Sequence, residues 1–475
     1  MRERARSADL RGDTIAAVAT APGRGALAVI RVSGSAAREV ARRVGALPGL
    51  DDPRHGECPV REMRRVRLHE SDSPGDILDD ALATFFPAPH SATGEDVLEL
   101  SVHGGSYVSG AVMAALVRAG ARPALAGEFT ERAVRNGKMD LLQAEAVADL
   151  IDARSRAMHR TAMRQLSGAL SHRLEALRSA LLEVDALIAY EIDFPGEDDG
   201  PQPRARTTEA AVRALEEVDA LVATLPVAEL GRDGITVVLA GAPNAGKSSL
   251  LNALVGERRA IVSEVPGTTR DAIDVLVDDD PWPLRLVDTA GLRASDDVVE
   301  RLGVEVSEQR VGGAHMVLVC GESDDALEDA CAAVRGLTTA PLIAVRTKCD
   351  LRRKGVPWEP APTLAVRTAA SVAVSATTGA GLSGLRATIR TVVRTLVPDA
   401  SEELPPVTRA RHVASLRAAR SEIEAFREAW TQERLPVPVA ATHLRAAIHQ
   451  LDELLGGIDV DEVLERVFRS FCIGK

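Results

Sequence analysis

The run Gly241-Ala242-Pro243-Asn244-Ala245-Gly246-Lys247-Ser248 decides the fold. It follows the apolar stretch ITVVLA and leads into SSLLNALV, so the spacing predicts a strand, a glycine-rich loop and a helix in immediate succession. In that setting the glycines let backbone N–H groups close on phosphate oxygens. Lys247 reaches the β and γ oxygens, and the Ser248 hydroxyl holds Mg2+.

Three further motifs follow in an order that suits a nucleotide switch. Gly267-Thr268-Thr269-Arg270-Asp271 lies in a polar segment, where Thr269 can close on Mg2+ and be released when the γ-phosphate leaves. Asp288-Thr289-Ala290-Gly291 ends the apolar run PLRLV; its carboxylate can take a Mg2+-bound water, and the Gly291 N–H can sense the γ-phosphate. Thr347-Lys348-Cys349-Asp350 follows PLIAVR and places a carboxylate that can accept from N1–H and the exocyclic amine of guanine. Adenine lacks that donor pair, so Asp350 selects GTP. Ser375-Ala376-Thr377, after SVAV, has the form of the backbone strip that supports the guanine carbonyl. Together these motifs predict a Ras-like P-loop GTPase domain.

In Ras-type enzymes a glutamine after the D-x-x-G glycine orients the attacking water. Here that position is Leu292, which can neither accept a proton nor hold a water, so another residue must do so.

Working outward, the remainder divides by pattern. From Thr14 to about Gly120, TIAAVAT, ALAVIRVSG, DDALATFFP and DVLELSVHGG alternate with helical runs, which predicts an α+β domain. From about Asn136 the strand signals stop, and Leu166, Leu170, Leu174, Leu177, Leu181, Val184 and Ile188 form one helical apolar stripe. The break PGEDDGPQPRAR precedes another helix ending near Leu225. Between Gly231 and Leu396 apolar strands bounded by polar turns imply a mainly parallel sheet covered on both faces. After VPDASEELPPV the chain returns to helix, with Leu444, Ile448, Leu451 and Leu455 in one stripe and Val460, Val463, Leu464, Val467, Phe468 and Phe471 in the last. The expected architecture is therefore multidomain: an N-terminal α+β domain at 1–135, a discontinuous all-α helical domain at 136–230 and 397–475, and the GTPase domain inserted at 231–396.

Composition constrains the partners. A net charge of −12 gives no general electrostatic case for nucleic-acid binding, so any RNA contact must be local. Five scattered cysteines contain no C-x-x-C pair, which argues against a disulfide framework or zinc site and fits a cytoplasmic protein. No apolar run is long enough to span a membrane. His103 in the H-G-G turn reads as structural, since no ligand or triad partner lies at a recognisable spacing.

Beyond these motifs, ATAPGRGALAVIRVSG, TGEDVLELSVHGG, GEFTERAVRNGKMDLLQAEAVADLIDA and the ending FCIGK make nearly the whole chain resemble the bacterial MnmE (TrmE) family of tRNA-modifying GTPases. The resemblance implies potassium activation. K+ would be held by Asn244, by the backbone carbonyls of Ser263 and Val265, and by Thr268; Glu300 would orient the water, with Lys247 on the phosphates. The full GTP site would comprise Asn244, Ala245, Gly246, Lys247, Ser248 and Ser249; Ser263, Glu264, Val265, Pro266, Gly267, Thr268 and Thr269; Asp288, Thr289, Ala290 and Gly291; and Thr347, Lys348, Asp350, Ser375, Ala376 and Thr377. Mg2+ would be held by Ser248 and Thr269.

The resemblance further implies that 5-formyltetrahydrofolate, or its methylene form, meets Arg31, Glu99, Lys138 and the terminal Lys475. Cys472 would sit near the functional centre, either as a reactive thiol or as an inert one beside Phe468 and Phe471. The implied assembly is a homodimer that joins a flavin-dependent MnmG (GidA) protein in a heterotetramer. That complex adds a carboxymethylaminomethyl or aminomethyl group to carbon five of the wobble uridine of certain tRNAs. Two other readings stay open at this point: a potassium-dependent GTPase of ribosome assembly, and a nucleotide-gated scaffold.

Overall fold

The computed structural model describes residues 12–47, 61–153, 155–193, 204–225, 230, 233–256, 260–261, 274–279, 282–288, 309–351, 358–396, 407–432, 436–456 and 474. They fall into two compact units, Met1–Ala148 with Leu451–Lys475, and Asp149–Gln450.

The first unit is built on a six-stranded sheet of β1 (Ile15–Val18), β2 (Leu27–Ser33), β3 (Arg64–Glu70), β4 (Ser73–Phe86), β5 (Val97–His103) and β6 (Arg122–Pro123), in the order β3-β4-β5-β2-β1-β6. All neighbours are antiparallel except β1 and β6. Alternation sets the two faces. Leu98, Leu100 and Val102 of β5 are buried against helices Ala37–Arg43 and Ser106–Arg118, whereas Glu99, Ser101 and His103 point the other way. Beyond β1, Ile15 and Ala17 pack on Ala124 and Phe129, the last from helix Glu128–Arg135.

The second unit contains a seven-stranded sheet of β7 (Ile235–Ala240), β8 (Ala260–Ile261), β9 (Asp274–Val277), β10 (Leu284–Asp288), β11 (Met316–Gly321), β12 (Leu342–Arg346) and β13 (Ala370–Ala373), in the order β13-β12-β11-β7-β10-β9-β8. Five strands run parallel, and β9 and β8 add an antiparallel edge. Both faces are covered, as the apolar strands require: Val237 and Leu239 enter one core with Leu250 and Leu385, and Val238 and Ala240 enter the other with Leu327 and Leu364.

The long helical stretch is three helices, Leu141–Asp152, Arg156–Leu166 and Ala169–Asp193. Ser155 caps the second by accepting from Met158 N, and Gly168 with φ of 82° breaks the chain before the third. The predicted stripe is buried at Leu170, Leu174, Leu177, Leu181, Val184 and Ile188. Helices on either side of the GTPase fold pack together, Arg204–Val222 against Ala410–Gln432. Val407 N donates to Thr224 Oγ1 at 2.9 Å, Gln165 Nε2 to Thr408 Oγ1 at 3.1 Å, and Arg420 pairs with Asp219 at 2.6 Å. The α/β fold is thus an insertion between two halves of one helical domain. The apolar positions expected between Val460 and Phe471 lie outside the described residues. Among the described residues no helix is long and apolar enough to cross a membrane.

Candidate nucleotide site and folate site

Every described element of the nucleotide site leaves the carboxyl edge of the parallel strands, where open α/β sheets bind ligands. The loop after β7 turns through Gly241 at φ 142°, Asn244 at 61° and Gly246 at 82° before helix Lys247–Gly256 begins. Only glycine fits the first position, since a Cβ there would stand 2.2 Å from the Cys320 carbonyl oxygen. Asparagine tolerates the left-handed region better than most residues, so Asn244 has a conformational as well as a chemical reason to be there. Lys247 is buried, and its Nζ donates to the carbonyls of Gly241 and Ala242 at 2.9 and 2.8 Å, which fixes a cation within the loop.

Ser248 Oγ donates to Asp288 Oδ2 at 2.6 Å, and Asp288 is fully buried at the end of β10. A hydroxyl and a carboxylate brought together at a helix start form a hard-oxygen donor set of the kind Mg2+ takes. Ala245 is buried, Gly246 half-buried and Ser249 exposed along the same loop and first turn.

Thr347 joins the phosphate loop to the base region: its Oγ1 donates to Ala245 O at 2.9 Å and its N donates to Gly321 O at 2.9 Å. Lys348 takes φ 55°, and Asp350 stands exposed on the short helix Cys349–Leu351. Cys349 N donates to Val374 O at 3.1 Å, which draws Ser375, Ala376 and Thr377 alongside. Ser375 is fully buried, and its Oγ accepts from Thr378 N at 3.2 Å, fixing that loop. Phosphate loop, buried Asp288 carboxylate and T-K-x-D motif therefore share one edge. Ser263, Glu264, Val265, Pro266, Gly267, Thr268, Thr269, Thr289, Ala290, Gly291 and Glu300 lie outside the described residues.

In the first unit, Arg31 and Glu99 are register partners on β2 and β5. Their side chains pair at 2.6 Å, and the guanidinium sits 5.8 Å from the Phe129 ring centre. Both are part-exposed and can present a cation and an anion side by side to a zwitterionic ligand edge. Lys138 Nζ donates to Pro89 O at 3.0 Å. Lys475 and Cys472 lie outside the described residues, but Gly474 packs its backbone on Val18 and Ala19 at the end of β1, the strand next to Arg31.

Two features carry no motif and were not foreseen. His103 Nδ1 meets Asp79 Oδ1 at 2.7 Å, a partner twenty-four residues away on β4. Glu322, just after β11, and Asp324, at the start of helix Asp324–Arg335, bracket the base motif.

Sheet order, phosphate loop, buried carboxylate and T-K-x-D segment define a P-loop GTPase domain carried within a larger chain. The family descriptions "GTP-binding protein TrmE N-terminus" and "MnmE helical domain" match residues 14–138 and 141–472. The tRNA modification GTPase MnmE of Acidiphilium cryptum is 41% identical over 466 residues, covering 98% of this chain and 99% of that protein. The MnmE of Methylorubrum populi is 42% identical over 472 residues, with 98% and 99% covered. The chain belongs to the MnmE family of tRNA modification GTPases. The G domain of the T. maritima FeoB iron transporter aligns over 34% of this chain and 99% of that one at 24% identity, with a TM-score of 0.27.

Proposed function

We propose that this protein is a potassium-activated, magnesium-dependent GTPase that works in the cytoplasm as a homodimer. With a flavin-dependent MnmG-type partner it adds a carboxymethylaminomethyl or aminomethyl group to carbon five of the wobble uridine in certain tRNAs. The reading rests on membership of a family whose relatives are named tRNA modification GTPases, and on one observation above the rest. Asn244 holds a left-handed turn of the phosphate loop with its side chain exposed, and in the sequence a leucine, Leu292, follows the D-x-x-G glycine where Ras-type enzymes carry a glutamine.

A cation held there by Asn244, the Ser263 and Val265 carbonyls and Thr268 would supply positive charge beside the β–γ bridging oxygen. An arginine finger there is worth roughly a thousandfold or more in rate. Around it the chain's own groups divide the work. Lys247 carries charge to the β and γ oxygens, and Ser248, Thr269 and Asp288 would hold Mg2+, which would supply further positive charge to the phosphates. Asp350, Ser375, Ala376 and Thr377 hold the base, and Glu300 orients the water that attacks the γ-phosphorus in line as the bridging bond breaks. Arg31 and Lys138, with Lys475, suit the glutamate tail of 5-formyltetrahydrofolate, and Glu99 suits the pterin N–H edge.

Two measurements test this. GTP turnover of the full chain is expected to collapse when sodium replaces potassium. Asn244→Gly, which keeps the backbone conformation and removes the oxygen, is expected to respond equally poorly to both ions. Equal turnover in the two buffers would end the potassium reading. Nucleoside mass spectrometry of tRNA from a strain lacking the protein is expected to show wobble uridines without their side chains; unaltered tRNA would favour the ribosome-assembly or scaffold readings.

A further inference from the structure

We infer that Glu322 is a positioning residue of the base site: its carboxylate holds the Lys348 ammonium so that the lysine's aliphatic stem lies along the face of the bound purine. The inference rests on the guanine-nucleotide reading above.

β11 and β12 are parallel neighbours with Gly321 opposite Arg346. Gly321 O accepts from Thr347 N at 2.9 Å, so the chain leaves both strands side by side. Two ion pairs then flank Thr347. On one side Arg346 NH1 donates to Asp324 Oδ1 at 2.9 Å, with Trp358 Nε1 donating to the same oxygen at 2.9 Å and the guanidinium 5.6 Å from the Trp358 ring centre. On the other, the Lys348 ammonium pairs with the Glu322 carboxylate. Ser323, between the two acids, caps helix Asp324–Arg335 by accepting from Ala326 N at 3.3 Å. Residues 322–324 thus form a bracket fixed at three points.

The charge arrangement explains what the bracket does. Lys348 occupies φ 55°, which sets where its side chain leaves the backbone, and the four torsions beyond Cα are what an ionic partner can fix. An ammonium near a triphosphate is drawn toward the phosphates. The Glu322 carboxylate offers a competing anion and so holds the charge off the phosphates. The lysine side chain stays 41% exposed, which leaves its methylenes available to a flat, neutral base.

The test is the dissociation rate of fluorescently labelled GDP and IDP from the full-length protein, followed by stopped flow. Because the pair is half-exposed, Glu322→Ala is expected to speed release by about threefold. The factor should be the same for both nucleotides, since stacking does not use the 2-amino group, and it should shrink as salt is raised. Lys348→Met should give the same increase, and the double variant no more than either alone. Unchanged release from Glu322→Ala, a loss confined to GDP, or additive effects in the double variant would overturn the inference. If the unsubstituted protein fails to bind GDP at all, the guanine reading fails with it, a result distinguishable from the others.

Discussion

Ser248 Oγ and Asp288 Oδ2 lie 2.6 Å apart, joining the first turn of the phosphate-loop helix to the end of β10. The pair ties that helix to β10, which already runs hydrogen-bonded beside β7 with Asp288 opposite Leu239. Ser248→Ala removes the hydroxyl and leaves the carboxylate. GTP binding is then expected to lose its tightening by Mg2+, and hydrolysis to fall by roughly a hundredfold or more, as when one preorganised charge-stabilising group is deleted. Calorimetric titration with and without Mg2+ checks the first; phosphate release checks the second. Magnesium-dependent binding as tight as that of the unsubstituted protein would remove Ser248 from the metal site.

The phosphate loop is also the place where backbone shape is least negotiable. Gly241→Ala would put a methyl 2.2 Å from the Cys320 carbonyl at a φ of 142°, and Cys320 is itself buried in the sheet. The expected loss is about 2–3 kcal/mol of stability, read as a lower urea midpoint. Gly256→Ala, at the far end of the same helix with nothing within 4 Å of the added carbon, serves as the contrast and should be neutral or slightly stabilising. Equal midpoints for the two variants would show that the close approach is not what demands glycine.

How much of this could be read beforehand depends on what kind of constraint each residue answers to. The five parallel strands, and the placing of Lys247, Ser248, Asp288 and Asp350 just past strand ends, were legible because a nucleotide motif sets residue types at fixed distances from a strand end. β3 was not, because its sequence RRVRLHE alternates two buried side chains, Val66 and Leu68, with exposed arginines and looks polar throughout. β9 was missed for a related reason: four residues, DVLV, merge into an acidic run. Glu322 answers to no motif. Its role arises only when two parallel strands place it beside Lys348, twenty-six residues later. Outside the nucleotide site, Arg31 and Glu99 were named by family likeness, and their pairing is a consequence of strand register that spacing alone does not disclose.

The proposed base selection rests on one exposed carboxylate in a rigid frame. Asp350 is carried by a short helix whose neighbours are fixed at both ends, Thr347 by Ala245 and Cys349 by Val374. Asp350→Asn exchanges one acceptor for a donor. Guanine then loses its paired acceptor, while xanthine, with a carbonyl at that edge, gains a partner. Preference for GTP over XTP is expected to fall by about two orders of magnitude or more. Competition binding with the two triphosphates measures it, and an unchanged preference would mean that the base is read elsewhere.

Glu128 tests whether the first unit depends on a buried charge network. Its Oε1 accepts from Arg122 NH2 at 2.6 Å and Arg132 NH2 at 3.0 Å; its Oε2 accepts from Arg122 NH1 at 2.9 Å and Leu125 N at 2.8 Å. Burial alone would push the carboxyl pKa up, but the two guanidinium groups and the amide outweigh it and hold the pKa below its ordinary 4.5. The folded protein therefore binds this proton less readily than the unfolded chain. The stabilisation is fully present above pH 4.5 and disappears as pH falls through the lower, folded value. Glu128→Gln removes the carboxylate that Arg122 and Arg132 share, while Arg122 keeps Asp13 and Arg132 keeps Glu95, and is expected to cost about 2 kcal/mol near neutrality. The cost should narrow as the pH is lowered, because the native carboxyl is then protonated as well. Since Arg132 NH1 also donates to Asp13 O at 2.7 Å, the loss should loosen the segment leading into β1 first, seen as faster amide exchange at Ile15 and Ala17. A stability difference between Glu128→Gln and the unsubstituted protein that stays constant from neutral pH down into acid would show that the charge is not the stabilising element.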